Sequence, residues 1–284
     1  MHWPFCLSKC PYCDFMSVVA SESVYEDYEK FLLQDLKNEL KNFPGRHIGS
    51  VFFGGGTPSL MSAKSVENML NALRSQCILE ADAEISLEAN PGTFDRRKLL
   101  DFKNAGVNRL SIGIQSFQNE NLKFLGRIYD EKQSRAAAEI VSGIFFNFSM
   151  DFIYGYQCQT PEDLRQDLIQ AVDFGCRHLS CYQLTFEENT PFFRLLSAGV
   201  IKKSTRSTSW SATTSSTIFC RAEIFTATRF RTTPSAATSR VTISATGTTK
   251  IMSELVRARI VALASMAENT RWKKFRRPRS GVPP

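Results

Sequence analysis

The sequence predicts an α/β fold built from alternating strands and helices over about residues 1–200 of 284. Three observations predict it. Short apolar runs stop at glycine-rich or polar turns, as strands do. Between them lie stretches whose apolar residues recur at helical spacing. The connections are short, so the repeated βα units imply a parallel sheet, open or rolled into a barrel. In such folds chemistry gathers at the carboxyl ends of the strands.

The elements follow in order. "HW" reads as a first strand entering a cysteine-rich loop. "YEDYEKFLLQDLKNELKNF" (Tyr25 to Phe43) spaces its apolar residues as one face of a helix. "IGSVFF" is a strand that runs into the glycine loop "GGGTPS", and Ser62 then caps the helix "SAKSVENMLNALRSQ". "AEISLEANPG" and "VNRLSIGIQSF" read as strands separated by the helical "FDRRKLLDFKNAG". A helix over "EKQSRAAAEIVSGI", a strand at "NFSMDFIYG", a helix over "TPEDLRQDLIQAVDFG" and a strand at "HLSCYQLTF" complete the series.

Beyond Lys203 this pattern is lost. In residues 201–250, 23 of the 50 are Ser or Thr, and glycine occurs once. Charge divides at the same place: residues 1–200 balance at −6, whereas 201–284 carry 16 Lys/Arg against 3 Asp/Glu, a balance of +13. The net charge of +7 therefore describes neither part. The sequence divides into a core over 1–200 and a basic Ser/Thr-rich segment over 201–284, expected to be irregular or disordered. No apolar run of about 18 residues occurs, so no membrane span is expected. The start does not read as a secretory signal, which leads to a cytoplasmic expectation. There, eight cysteines are free, ligating or catalytic rather than disulfide-bonded.

Cys6, Cys10 and Cys13 stand in "HWPFCLSKCPYCDF" as C-x3-C-x2-C. That spacing lets three thiolates converge on one face of an iron–sulfur cluster, leaving one iron of a four-iron cluster for another molecule. Zinc is the competitor, but structural zinc takes four N/S ligands and the next cysteine is Cys77. His2 precedes the loop and reads as a packed or capping imidazole. Cys77, Cys158, Cys176, Cys181 and Cys220 are isolated and are assigned nothing.

The cysteine loop followed by "GGGTPS" resembles the radical S-adenosylmethionine family. "SLEANPG", "RLSIGIQSF", "LGR" and "SMDFIYG" resemble, in order and spacing, its oxygen-independent coproporphyrinogen III oxidase-like group, which includes the HemW-type haem chaperones. The resemblance implies a partial, TIM-like (β/α) barrel. It implies that Cys6, Cys10 and Cys13 hold a [4Fe–4S] cluster and that Gly55 and Glu88 contact the S-adenosylmethionine on it. Tyr12, Gly56, Thr57, Gln115, Arg127 and Asp151 match a second S-adenosylmethionine position, where Arg127 could pair bidentately with a carboxylate. Taken singly, Glu88 or Arg127 has a surface salt bridge as its lesser alternative, and Ser180 and Tyr182 are weaker members of the cavity. True oxidases of the group resemble C-x3-C-x2-C-x-C; here Phe15 fills the last position, the chaperone-like form. The resemblance thus implies a chaperone that binds haem and passes it to haem-accepting proteins, with oxidase activity as the alternative.

Three features depart from the group. It has residues before "HWPFC", including a tyrosine near the cofactor, whereas Met1 here lies inside the first strand. "YGYQCQT" stands where it has "YGLPGQT". Its haem-binding "HNxxYW" stretch and "GIGPGAH" are missing. Permitted codons for "RVTISATGTTKIMSELVRARI" encode "RHNLSYW" and then "YVGIGPGAH" in an overlapping frame. A frameshift past about Lys203 accounts at once for the Ser/Thr excess, the lost periodicity and the charge jump. On that reading the basic segment needs no nucleic-acid partner; the rival is RNA or DNA binding through it.

Overall fold

Six strands lie side by side in the order in which the chain makes them. The computed structural model describes residues 1–203; the basic segment from residue 204, and with it the overlapping-frame reading, lies outside the described residues. The strands are β1 (His2–Trp3), β4 (His47–Gly55), β5 (Ile78–Ala89), β6 (Arg109–Gln115), β7 (Asn147–Tyr154) and β8 (His178–Gln183), and every neighbouring pair is parallel. Among the described residues β1 and β8 each have one strand partner, so the sheet is a partial barrel with two edges. Two short strands, β2 (Phe5–Cys6) and β3 (Val18–Val19), pair with each other and bring the ends of the cysteine loop together.

Helices α1 (Glu22–Leu40), α2 (Ala63–Gln76), α3 (Arg96–Ala105), α5 (Glu131–Ile144) and α6 (Pro161–Asp173) lie in the crossovers. Their starts are chemically marked. The Ser62 hydroxyl accepts from the Ser65 N–H at 3.1 Å and Asp95 from the Lys98 N–H at 2.8 Å. Asp130 with Gln133, and Thr160 with Asp163, form reciprocal capping boxes. Gly106, at φ 116, ends α3 in the left-handed conformation that glycine takes at least cost. Two short helices, α4 (Asn119–Phe124) and α7 (Pro191–Ser197), were not foreseen from the sequence. Each is under two turns, too short to show a helical period.

Strand alternation divides the sheet into two unlike faces. Ile85, Leu87, Leu110, Ile112, Ile114, Phe148, Met150, Phe152 and Leu179 point to the helices and belong to one buried cluster. Each such side chain contributes about 1.5–3 kcal/mol by leaving water. The opposite, concave face carries Glu84, Ser86, Glu88, Arg109, Ser111, Ser149, Asp151 and Ser180. A second apolar cluster of Leu125, Ile153, Tyr156, Leu184, Phe192 and Ile201 gathers Tyr12 and Phe124 against it. No helix of the described residues is long and apolar enough to cross a membrane.

Candidate cofactor site

The cysteine loop and the glycine loop are built against each other. Parallel pairing of β1 with β4 continues past the strand ends: the Gly56 N–H donates to the Trp3 carbonyl at 2.6 Å and the Thr57 N–H to the Phe5 carbonyl at 2.8 Å. A Cβ on Gly55 would fall 2.5 Å from the Trp3 oxygen and 2.7 Å from the His2 ring. On Gly56 it would fall 2.7 Å from the Phe5 oxygen and 2.9 Å from the Cys6 Sγ. Only glycine fits at either position. His2 is packed here, as expected, with Nε2 3.2 Å from the Met16 carbonyl oxygen, and burial lowers its pKa.

Within the loop Cys6 is buried and Cys10 and Cys13 are half-buried, all with free thiols. The Cys13 N–H closes a turn onto the Cys10 carbonyl at 3.1 Å, and Lys9 Nζ ties the loop down by donating to the Phe15 and Ser17 carbonyls. Burial pushes the Cys13 thiol up to about 11. A thiol in that state ligates metal only by giving up its proton. Among the described residues no group of three His, Cys, Asp or Glu side chains is placed to hold a metal ion. At its outer side the loop leans on α7, where the Phe192 N–H donates to the Pro11 carbonyl at 2.9 Å.

Arg127 ties its own loop to the cysteine loop, to Asn90 and to strand β6. Its Nη1 donates to the Cys10 Sγ at 3.0 Å and the Tyr12 hydroxyl at 3.1 Å. Nη2 donates to the Asn90 Oδ1 at 2.7 Å and, more loosely, to the Gly113 carbonyl at 3.4 Å. Nε donates to the Tyr129 hydroxyl at 2.8 Å. The five N–H groups of a guanidinium are thus all engaged within the chain. This is not a surface salt bridge, and a ligand carboxylate on Arg127 must displace one of these partners. Asn90 passes the network on to Thr57 Oγ1 at 3.2 Å. The Tyr129 hydroxyl, which burial keeps protonated with a pKa pushed up to about 12, donates to the Gly113 carbonyl at 2.7 Å. Sequence reasoning missed Asn90 and Tyr129; both stand in recognised stretches, "EANPG" and the residues just after "LGR", but nothing local marks them as partners of Arg127.

The concave face supplies the carboxylates. Glu88 Oε2 accepts from the Gly55 N–H at 3.0 Å, and burial pushes its pKa up to about 7. Asp151 is pushed up to about 6, again by burial, although bonds from Ser180 and Ser111 oppose the shift. Arg109 Nη2 donates to Ser149 Oγ at 2.9 Å, Ser149 to Ser111 Oγ at 2.9 Å, and Ser111 to Asp151 Oδ2 at 3.2 Å, a polar ladder across β6 and β7. Ser180 therefore belongs to the lining, and Tyr182 beyond it is 41% exposed. Gln115 ends β6 with φ 66, and its buried Oε1 has no hydrogen-bond partner. The structure thus brings the cysteine loop, Gly55, Gly56, Thr57, Glu88, Gln115, Arg127 and Asp151 to one end of the sheet, with Tyr12 on the loop itself. Cys77, Cys176 and Cys181 are buried elsewhere and Cys158 is exposed.

Residues 1–171 match the model of the Radical SAM superfamily. The chain belongs to that family. Solved structures share its fold. Coproporphyrinogen III oxidase (HemN) from Escherichia coli aligns with TM-score 0.68 and 27% identity, over 78% of this chain and 51% of that one. The structure of Streptococcus suis SuiB bound to S-adenosylmethionine shares the fold at TM-score 0.55 and 14% identity, covering 87% of this chain and 50% of that one. Among curated relatives, the heme chaperone HemW of Escherichia coli is 45% identical over 194 residues, which is 68% of this chain and 51% of the relative. That of Haemophilus influenzae is 42% identical over 199 residues, 68% of this chain and 52% of the relative. The chain spans about half the length of the curated relatives it matches.

Proposed function

We propose that this radical SAM core is of the haem-chaperone type: Cys6, Cys10 and Cys13 hold a [4Fe–4S] cluster, and Gly55 and Glu88 receive the S-adenosylmethionine bound to it. The observation that carries this is the seating of the Gly55–Gly56 backbone on the cysteine loop, with no room for a Cβ beside the Cys6 Sγ. The donor types suit the group, although the thiols are not drawn together as metal ligands here: three thiols on one loop, a glycine cradle beside them, and a buried acceptor at Gln115 without a partner. When bound, a reduced cluster supplies the electron that cleaves the sulfonium of S-adenosylmethionine.

The chain's own residues do the rest. Glu88, already fixed by the Gly55 N–H, offers its other oxygen to an amino or hydroxyl donor. Tyr12, Gly56, Thr57, Gln115, Arg127 and Asp151 line the second S-adenosylmethionine position. Tyr12 and Phe192, in the apolar cluster beside the loop, exclude water from that side. The similar curated proteins are named heme chaperones, and Phe15 in place of the oxidases' further cysteine favours haem binding and delivery to haem-accepting proteins over oxidase activity. Haem capture itself belongs to the "HNxxYW" stretch that the overlapping frame would restore. A cytoplasmic setting completes the reading.

Anaerobic reconstitution with iron and sulfide tests the core. About four irons per chain are expected, falling to background in Cys6→Ala; iron content unchanged in that variant sinks the cluster assignment. Haem titration of this chain beside a frame-restored chain tests the remainder. Binding by the restored chain alone is expected, whereas protoporphyrinogen formation from coproporphyrinogen III would point to the oxidase. Salt-sensitive binding of RNA or DNA by this chain, lost on deleting residues 201–284, would restore the nucleic-acid reading.

A further inference from the structure

We propose that Asp167, on α6 behind the sheet, is a positioning residue that holds Gln115 in the conformation presenting its side-chain oxygen to a ligand. Asp167 is fully buried, and among the described residues no ion pair joins it. Both its oxygens serve the two residues after Gln115: Oδ2 accepts from the Ser116 hydroxyl at 2.7 Å and Oδ1 from the Phe117 N–H at 2.8 Å. Ser116 Oγ in turn accepts from the Gln118 N–H at 3.1 Å and, more loosely, from Asn121 Nδ2 at 3.5 Å. A carboxylate buried without a cation is a poor device for stability alone. It is a good device for fixing a short stretch of chain, because it can take two donors at a set angle.

That stretch needs fixing. The register of β6 against β7 shifts between Ile112 and Gln115, and Gln115 adopts φ 66, which a side chain with a Cβ enters reluctantly. From the other side the Tyr129 hydroxyl donates to the Gly113 carbonyl at 2.7 Å, so the turn is held before and after Gln115. The product is an amide oxygen that is buried and unpaired. Buried acceptors are rarely left so, and one held by this much structure awaits an N–H or O–H donor on a ligand. This rests on the proposed function, in which S-adenosylmethionine supplies such donors from its amino and hydroxyl groups.

The test is a double-mutant cycle on the reconstituted full chain. S-adenosylmethionine affinity is measured by equilibrium dialysis for wild type, Gln115→Ala, Asp167→Asn and the pair, with iron content checked in each. Each single change is expected to weaken binding about tenfold, the loss of one hydrogen bond, and the pair no more than Gln115→Ala alone. A pair about a hundredfold weaker shows that Asp167 acts independently of Gln115 and overturns the proposal. Amide hydrogen exchange without ligand provides a second arm. Asp167→Asn should speed exchange at residues 115–117 and leave 85–88 unchanged; unaltered exchange at 115–117 also overturns it. Should wild type bind no S-adenosylmethionine, the proposed function fails while the exchange arm still decides the positioning role. If Asp167→Asn does not fold, Ser116→Ala removes one of the two bonds and takes its place.

Discussion

The two faces of one sheet have been given opposite tasks. On the helix side of β5, β6 and β7, Leu87, Leu110, Ile112, Met150 and Phe152 are closed off from water. On the concave side, one residue along each strand, stand Glu88, Ser111 and Asp151. A parallel sheet is ordinarily apolar on both faces because helices cover both. Here one face is left polar, so stability is concentrated behind the sheet and chemistry in front of it. Substitutions on the two faces should therefore differ in kind as well as in size.

The largest effect belongs to the helix side. Leu87 is fully buried in the main cluster, and Leu87→Ala removes its transfer energy and leaves a cavity. The expected cost is about 2–5 kcal/mol, read from urea unfolding. A loss under about 1 kcal/mol would mean that the helix face is not the chief source of stability.

On the concave side the effect is smaller and depends on pH. Burial lifts Glu88 from its ordinary 4.5 to about 7, so the folded state holds a proton that the unfolded state has already released. Stability from this group is full below about 4.5 and is lost as pH rises through about 7. Glu88→Gln keeps an acceptor for the Gly55 N–H and cannot ionise. The variant should match wild type near pH 4.5 and exceed it by on the order of 1–3 kcal/mol at pH 8, in apoprotein unfolding. A difference that does not change with pH would show that Glu88 titrates as a solvated carboxylate.

The helix face was legible in the sequence because it repeats. α5 occupies the very residues of "EKQSRAAAEIVSGI", and Ser62 caps α2 as its position implies. The concave site was legible only through resemblance. Glu88 and Arg127 are single polar residues, and their meaning comes from partners more than thirty and a hundred positions away, Gly55 and Cys10. No periodicity encodes such pairings. Asn90, Tyr129 and Asp167 were missed for the same physical reason: each acts through a contact made only after the crossovers have brought distant loops together.

Backbone strain sharpens the comparison at the smallest scale. Gln115 and Cys158 both end up with positive φ, 66 and 69, at the end of the sheet where the site lies. Gln115 is gripped by the Asp167 and Tyr129 networks and offers an acceptor in return. Cys158 is exposed and stands in "YGYQCQT" where the family's pattern "YGLPGQT" has glycine. Its turn is held instead by the buried Gln159, whose Oε1 accepts from the Gly155 N–H at 2.8 Å, so the glycine-like conformation survives without glycine. Cys158→Gly should relieve the strain and stabilise the chain by about 0.5–1 kcal/mol after the added unfolded-state entropy, with S-adenosylmethionine affinity unchanged. Gln115→Gly should relieve comparable strain and weaken that affinity. Equal affinities in the two variants would remove the distinction, leaving Gln115 as strained and as idle as Cys158.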